Sequence, residues 1–167
     1  MNNLMFLGAK SCGKSTIMDS LCRLLIEKGY RVFSFNTQDD IPMEFIAQFR
    51  GEYDSVLLEA SELTDVNIAD MADASVVLVG DIERGGVFAV LYGMYVLLKG
   101  RCISGFLINK FRGDDRILTP GLKFLEEKTG VPFLGLIPYV SEEDEFIEIF
   151  RMSVEFDLMS KILGVDL

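Results

Sequence analysis

A short glycine-rich segment near the amino terminus has the residue types and spacing of a phosphate-binding loop. Residues 6–16 read FLGAKSCGKST, in which Gly8 to Ser15 match G-x-x-x-x-G-K-[S/T]. Two glycines allow backbone N–H groups to turn towards phosphate oxygens, and a following helix points its positive end at the same place. Lys14 adds a positive charge for the β- and γ-phosphates, and Ser15 offers a hydroxyl to Mg²⁺. The segment predicts a nucleotide site, against the alternative of a plain strand–helix turn.

Acidic residues end two apolar segments of the chain. Glu59 closes DSVLLEA and Asp81 closes SVVLVGD. A carboxylate at the end of a strand beside a phosphate loop can hold Mg²⁺ directly or through water. A solvated carboxylate at a strand end is the alternative for each residue. We predict Ser15, Glu59 and Asp81 as metal-side residues and Lys14 and Asp81 as catalytic residues, while the spacing leaves open which carboxylate contacts the metal.

The segment LINKFRGDD resembles the base-reading motif of a GTPase but lacks its acid. Asn109 and Lys110 end an apolar strand, and Arg112 stands where N-K-x-D has the aspartate that reads guanine. Asparagine can hydrogen-bond adenine through its amide, so we predict an adenine nucleotide, with Pro138 and Tyr139 flanking the base. A polar strand end is the alternative. The predicted nucleotide-binding residues are Gly8, Ser11, Gly13, Lys14, Ser15, Thr16, Asn109 and Pro138.

Two further features lie near these motifs, and each allows two interpretations. Arg84 precedes Gly85 and Gly86 at the start of a predicted helix, where it can pair with a phosphate or a carboxylate, or simply belong to a turn. Cys12 lies inside the loop, where a small residue fits or a redox thiol is placed.

Composition restricts the class of protein. The chain has 167 residues, half of them apolar, with 16 basic and 26 acidic side chains and no histidine. A net charge of −10 argues against nucleic acid and membrane surfaces as partners. Without histidine, the chain has no Ser–His or Cys–His nucleophile. Three cysteines without C-x-x-C spacing favour free thiols in a reducing compartment, and we predict a cytoplasmic protein.

Short apolar runs alternate with helical segments along the whole chain. A helix with one apolar face follows the loop and ends at Gly29. Strands are predicted at 4–8, 31–35, 55–60, 75–81, 103–110 and 131–138, and later helices at 85–99, 119–129 and 150–163. This order predicts one α/β domain over residues 1–167, a three-layer P-loop NTPase-type fold with a mostly parallel, doubly wound sheet of six or seven strands. Ligands in such sheets bind at the carboxyl ends of the strands.

Longer segments resemble the ATP-binding domain of cobyric acid synthase. They read VVLVGDIERGGVFAVLYGMYVLL, GFLINKFRGD and LTPGLKFLEEKTGVPFLGLIPY, followed by EED, and the similarity is dense over residues 76–144. This family groups with dethiobiotin synthetase and cobyrinic acid a,c-diamide synthase among the P-loop ligases. The resemblance implies an ATP- and Mg²⁺-dependent amidation of corrinoid carboxylates, in which ammonia from a fused glutaminase domain displaces phosphate from the activated carboxylate.

The resemblance also assigns residues. It implies that Lys14 and Ser15 bind phosphate and Mg²⁺, that Glu59 matches a metal-binding glutamate, that Asp81 matches the aspartate of G-D-I-[DE]-R-G-G, and that Asn109 lies on the base side.

Several departures from the family affect the substrate side. Where the family reads F-K-A-Q, this chain has Asn36 in place of the lysine, and uncharged Asn36 cannot neutralise a transferring phosphoryl group. E-G-A-G becomes EASE from Glu59, and only residues 36–53 join the second and third strands. The loop is one residue shorter than usual in the family, and the 167 residues carry no glutaminase segment.

Together, these features predict that nucleotide binding is kept while substrate and phosphoryl-transfer parts are reduced. We expect an ATP-binding protein, either a minimal ATPase or a nucleotide-gated binding module. An amide ligase subunit working with a separate glutaminase and substrate-binding chain is the alternative. A homodimer is a further expectation, because the predicted last helix is apolar enough to cover an interface; the alternative is that this helix caps the sheet. The apolar residues of that helix are Val154, Phe156, Leu158, Met159 and Ile162.

Overall fold

The described part of the chain is built around one parallel sheet. A computed structural model describes residues 1–39, 52–98, 101 and 103–167, without the side chains of 143 and 144. Within these residues, six strands pair in parallel in the order β2-β3-β1-β4-β5-β6. They are β1 (Asn3–Gly8), β2 (Val32–Asn36), β3 (Ser55–Ala60), β4 (Ala74–Asp81), β5 (Ile103–Phe111) and β6 (Phe133–Pro138).

Helices connect the strands. They are α1 (Lys14–Glu27), α2 (Val66–Ala72), α3 (Val87–Leu98), α4 (Thr119–Thr129), α5 (Glu143–Ser153) and α6 (Phe156–Leu163). Short 3₁₀ turns lie at Leu63–Asp65, Ile82–Arg84 and Asp115–Ile117. No helix of the described residues is long and apolar enough to cross a membrane.

Both faces of the sheet are covered, which produces three layers. Alternate side chains of β1 enter two separate apolar clusters: Met5 and Leu7 pack with α2, α3 and α4, whereas Leu4 and Phe6 pack with α1, α5 and α6. Every residue of β3 is buried. Strands covered on both faces have nearly continuous apolar sequences, which is why the runs in this chain predict strands correctly.

The order of the strands places the polar strand ends together. From central β1, the chain forms β2 and β3 on one side of the sheet and then β4, β5 and β6 on the other. Because all six strands are parallel, Gly8, Glu59, Asp81 and Asn109 all lie at the carboxyl edge of the sheet. This edge, beside the point where the order of the strands reverses, is where such sheets bind ligands.

Most predicted elements are confirmed, and the helix predicted at 150–163 is wrong. The six strands agree with the prediction to within two residues at each end. Instead of one terminal helix, α5 and α6 are separated at Val154, whose extended backbone forms an antiparallel bridge with Gly135 of β6. Helix α2 was not predicted, and the last residue of the helix predicted at 85–99 lies outside the described residues.

The carboxy-terminal helix α6 packs on the sheet. Met159 and Leu163 are fully buried in the same cluster as α1 and β1. This packing agrees with the interpretation that the apolar segment caps the sheet. Residues 40–51, which make up most of the shortened connection between β2 and β3, lie outside the described residues, as does Cys102.

Candidate nucleotide site

The segment between β1 and α1 forms a tight loop. Gly13 is the N-cap of α1 and has a left-handed backbone, with φ of 91°. A Cβ atom at Gly13 would lie 2.2 Å from Nδ2 of Asn109, so only glycine fits without a shift of that amide. Ser11 also has positive φ, 63°, which is uncommon for a residue with a side chain. The helix α1 begins directly after the loop, so its positive end faces this turn.

Lys14 is folded into the curve of the loop. Its side chain is almost completely buried, and Nζ donates a hydrogen bond of 2.9 Å to the carbonyl oxygen of Ala9. Nζ also lies 3.9 Å from Oε1 of Glu59, whose side chain is 10% exposed. The ammonium therefore sits where the loop backbone curves, with one carboxylate as a weak ion-pair partner.

Asp81 lies among cations. Its Oδ2 accepts a hydrogen bond of 2.8 Å from Nζ of Lys110 and lies 3.3 Å from Nε of Arg84. Its Oδ1 accepts a hydrogen bond of 3.0 Å from the backbone N–H of Glu83. Among the described residues, no group of three or more His, Cys, Asp or Glu side chains is placed to hold a metal. Both predicted metal-side carboxylates thus contact cationic side chains, Glu59 through Lys14 and Asp81 through Lys110 and Arg84.

Asn109 and Lys110 attach the end of β5 to the loop. Nδ2 of Asn109 donates to the carbonyl oxygen of Cys12 at 3.0 Å, and its Oδ1 accepts from the N–H of Lys110 at 2.8 Å. Lys110 has φ of 63°, and its Nζ donates to the carbonyl oxygen of Ser11 at 2.7 Å. Sequence reasoning assigned Asn109 to the base and missed this contact with the loop. An amide has further donor and acceptor capacity, which Asn109 keeps beside these bonds.

A cavity of about 220 Å³ opens beside the helix end of the loop. Its lining includes Gly13 and Thr16 on one side and Asn109 and Tyr139 on the other. Pro138, predicted to flank the base, is exposed and does not line this cavity. The predicted residues Gly13, Thr16 and Asn109 are therefore brought together.

Asn36 has a structural role at the end of β2. Its Oδ1 accepts a hydrogen bond of 2.9 Å from the N–H of Gln38, and its own N–H donates to Oδ2 of Asp39 at 3.1 Å. Asn36 pairs in register with Glu59 of β3. A side chain that caps its own turn in this way takes the position where the resemblance implies a lysine.

A larger cavity of about 670 Å³ lies elsewhere. It is lined by Tyr30 and by residues of α6 and the end of the chain, including Asp157, Lys161 and Leu167. Tyr30 follows α1, so this cavity lies at the end of α1 opposite the loop. Because the larger cavity lacks the loop glycines and the strand-end polar groups, we base the site on the smaller one.

The Cys12 thiol should be unreactive. It is fully buried, and this burial raises its pKa, against the smaller opposing effect of the Lys14 ammonium. We expect iodoacetamide at about pH 8 to label half-buried Cys22 before Cys12, with the Cys12 rate rising at higher pH as the thiolate forms. Peptide mass spectrometry measures both rates, and urea-unfolded protein is the control. Faster labelling of Cys12 would support a redox role instead.

The fold and the loop together define a class, the three-layer P-loop nucleotide-binding proteins. Within it, residues 4–148 match the CobQ/CobB/MinD/ParA nucleotide binding domain, and the chain belongs to this family. It is 56% identical over 81 residues to a probable cobyric acid synthase of Methanosarcina barkeri, covering 47% of this chain and 17% of that protein. It is 44% identical over 115 residues to the cobyric acid synthase of Alkaliphilus metalliredigens, covering 65% of this chain and 22% of that protein.

These curated relatives are much longer than the part that they share with this chain, which spans about a fifth of their length. Solved structures are similar in fold. Chloroplast FtsY from Physcomitrella patens has a TM-score of 0.64 at 14% identity, covering 89% of this chain and 65% of that one. MinD in the MinC:MinD complex of Aquifex aeolicus has a TM-score of 0.61 at 12% identity, and the match covers 95% of this chain and 89% of that one.

The loop is compatible with a magnesium nucleotide. Gly8 and Gly13 allow a backbone approach that a Cβ atom would obstruct, and the start of α1 points N–H groups at the turn. Lys14 lies inside the loop instead of in solvent. Ser15 follows Lys14 in the first turn of α1, where its hydroxyl is the usual oxygen ligand for a phosphate-bound Mg²⁺.

Proposed function

We propose that this chain is an ATP·Mg²⁺-binding protein of the cobyric acid synthase type that lacks an amidation site of its own. It acts as a minimal ATPase or as a nucleotide-gated binding module, formed as a single domain over residues 1–167. The observation that carries the proposal is the contrast between two ends of the site. The loop around Lys14 is formed, whereas Asn36 caps a turn at the position where the resemblance to cobyric acid synthase implies a phosphoryl-stabilising lysine.

In this proposal, residues at the loop hold the phosphates. Backbone N–H groups of the loop and Lys14 bind them, Ser15 ligates Mg²⁺, and Glu59 and Asp81 act on the metal side. Asp81 is hydrogen-bonded to Lys110, and its carboxylate would serve the metal directly or through water. When bound, the metal ion would neutralise part of the negative charge of the phosphates. The remaining binding residues in the proposal are Gly8, Ser11, Gly13, Thr16 and Asn109; Pro138 does not line the cavity and is left out.

Adenine is the proposed base. Arg112 stands where the guanine-reading aspartate of N-K-x-D belongs, and an arginine has no acceptor for the N–H groups of guanine. Asn109 borders the cavity and can both donate and accept a hydrogen bond.

A second candidate function is that of an amide ligase subunit. The identity to cobyric acid synthases favours it, reaching 56% over the matched 81 residues. In this candidate, a separate glutaminase and a substrate-binding chain complete the site, and two copies of this chain pair.

Phosphate release and corrinoid amidation, measured together, separate the two candidates. We expect the isolated chain to bind ATP·Mg²⁺ and to release phosphate slowly, at a rate that corrinoid acids and ammonia do not change. Chromatography of the corrinoid detects any amide. Ammonia-dependent amidation by the isolated chain contradicts our proposal and establishes the ligase. Amidation that requires an added glutaminase-containing partner supports the second candidate.

A further inference from the structure

Arg112 joins the turn after β4 to the segment after β6, beside the cavity. Its Nε donates a hydrogen bond of 2.9 Å to Oε1 of Glu83, in the turn after Asp81. Its guanidinium carbon lies 3.5 Å from the centre of the Tyr139 ring, directly after β6. At that distance the planar guanidinium is in contact with the ring. Arg112 thus connects the metal-side turn after β4 with the first residue after β6.

Tyr139 is the exposed one of two aromatic residues in the cavity wall; the other, Phe146, is buried. Tyr139 lines the cavity beside Asn109 and is 42% exposed. Its backbone N–H donates to the carbonyl oxygen of Phe111 at 2.8 Å, so its backbone is fixed by the end of β5. Arg112 is not part of the lining and reaches the cavity only through this ring.

The size and position of the cavity suit one end of a nucleotide. Pockets that hold a whole small molecule are usually about 300–1,000 Å³. The cavity here is smaller, about 220 Å³, and Gly13 of the loop and Thr16 of α1 form its near side. A ligand whose phosphates lie in the loop therefore extends its base towards Tyr139, on which a base can stack.

We propose that Arg112 is a positioning residue for the nucleobase. By stacking on Tyr139 and bonding to Glu83, it fixes the ring as a wall for the base of a nucleoside triphosphate. This inference rests on the proposed function, because it needs a nucleotide in the loop. The side chains of Arg112 and Glu83 are 61% and 40% exposed, so their ion pair alone contributes little. We therefore attribute the positioning of the Tyr139 ring mainly to the stacked Arg112 guanidinium.

A single indole can report on this wall. The chain contains no tryptophan, so Tyr139→Trp places the only indole at the stack and keeps an aromatic face for the guanidinium. We expect ATP·Mg²⁺ to change the indole emission, while tripolyphosphate, which has no base, leaves it unchanged. Adding Arg112→Ala should alter the emission before any ligand is present.

Affinities test the role of Arg112 directly. In the otherwise unchanged chain, Arg112→Ala should raise the Kd of ATP about two- to fivefold, as expected for a cation–π contact at an exposed site. Its Kd for tripolyphosphate, measured by competition with ATP, should not change. Arg112→Lys keeps the charge but not the planar stack. Its Kd for ATP should lie between those of the unaltered chain and of Arg112→Ala. Arg116→Ala removes another exposed arginine, which pairs with Asp114, and is the matched control.

The outcomes separate this inference from the proposed function. If the chain binds ATP but Arg112→Ala leaves the ratio of ATP to tripolyphosphate affinity unchanged, the inference is wrong and the proposed function stands. The inference also fails if the indole emission of the Tyr139→Trp variant does not respond to ATP while calorimetry shows that ATP binds. If the unaltered chain binds no ATP, both fail. Circular dichroism of each variant excludes unfolding, and Arg112→Lys serves if the alanine variant is unfolded.

Discussion

Lys14→Ala is expected to abolish detectable binding of ATP·Mg²⁺, raising its Kd by more than about 100-fold. The ammonium of Lys14 is the buried positive charge inside the loop, bonded to the Ala9 carbonyl and close to Glu59. Its removal takes away charge-assisted hydrogen bonds to phosphate and leaves the Glu59 carboxylate facing the bound anion. Isothermal titration calorimetry measures the loss directly.

Controls distinguish lost binding from lost folding. Lys28→Ala removes an exposed lysine just beyond the other end of α1 and should leave the Kd unchanged. Lys14→Met keeps most of the apolar volume of the side chain without the charge, so it should fold and still fail to bind. Binding of ATP by folded Lys14→Met with unchanged affinity would contradict the role of this lysine.

Gly8→Ala is expected to lower the free energy of unfolding by about 3 kcal/mol or more. A Cβ atom at Gly8 would lie 2.3 Å from the carbonyl oxygen of Val79 and 2.9 Å from Sγ of Cys12. The carbonyl belongs to the neighbouring strand β4 and cannot move without disturbing the pairing of β1 and β4. Urea unfolding followed by circular dichroism measures the effect.

Gly93→Ala is the matched control for this prediction. Gly93 lies in α3, and a Cβ atom there would meet nothing within 4 Å. The same substitution should therefore stabilise the protein by roughly 0.5–1 kcal/mol, because alanine loses less backbone freedom in a helix. If Gly8→Ala is as stable as the unaltered chain, the close packing of the loop against β4 is wrong.

The sequence predicts the sheet well because its strands are buried on both faces. Strands covered on both faces appear as continuous apolar runs, as in β3 and β4, and a polar residue marks the end of each. Helix α2 is harder to find, since it has only seven residues and follows the 3₁₀ turn Leu63–Asp65. The break at Val154 depends on its bridge to Gly135, a contact that no local pattern contains.

The candidate site is predicted only in part, for a related reason. The loop residues are consecutive, so their motif is visible in the sequence. The contacts that shape the site join residues far apart, such as Asn109 with Cys12 and Lys110 with Ser11. A motif cannot show that Asn109 supports the loop as well as bordering the cavity. Nor can it show that Asp81 is bonded to Lys110, or that Arg112 stacks on Tyr139.

The most direct test of the central claim is a calorimetric titration of the unaltered chain with ATP·Mg²⁺. The proposal predicts saturable binding of one nucleotide per chain with a Kd below about 1 mM, weaker binding without Mg²⁺, and no binding by Lys14→Ala. Absence of binding heat up to millimolar ATP at two temperatures, with the protein shown to be folded, would contradict it.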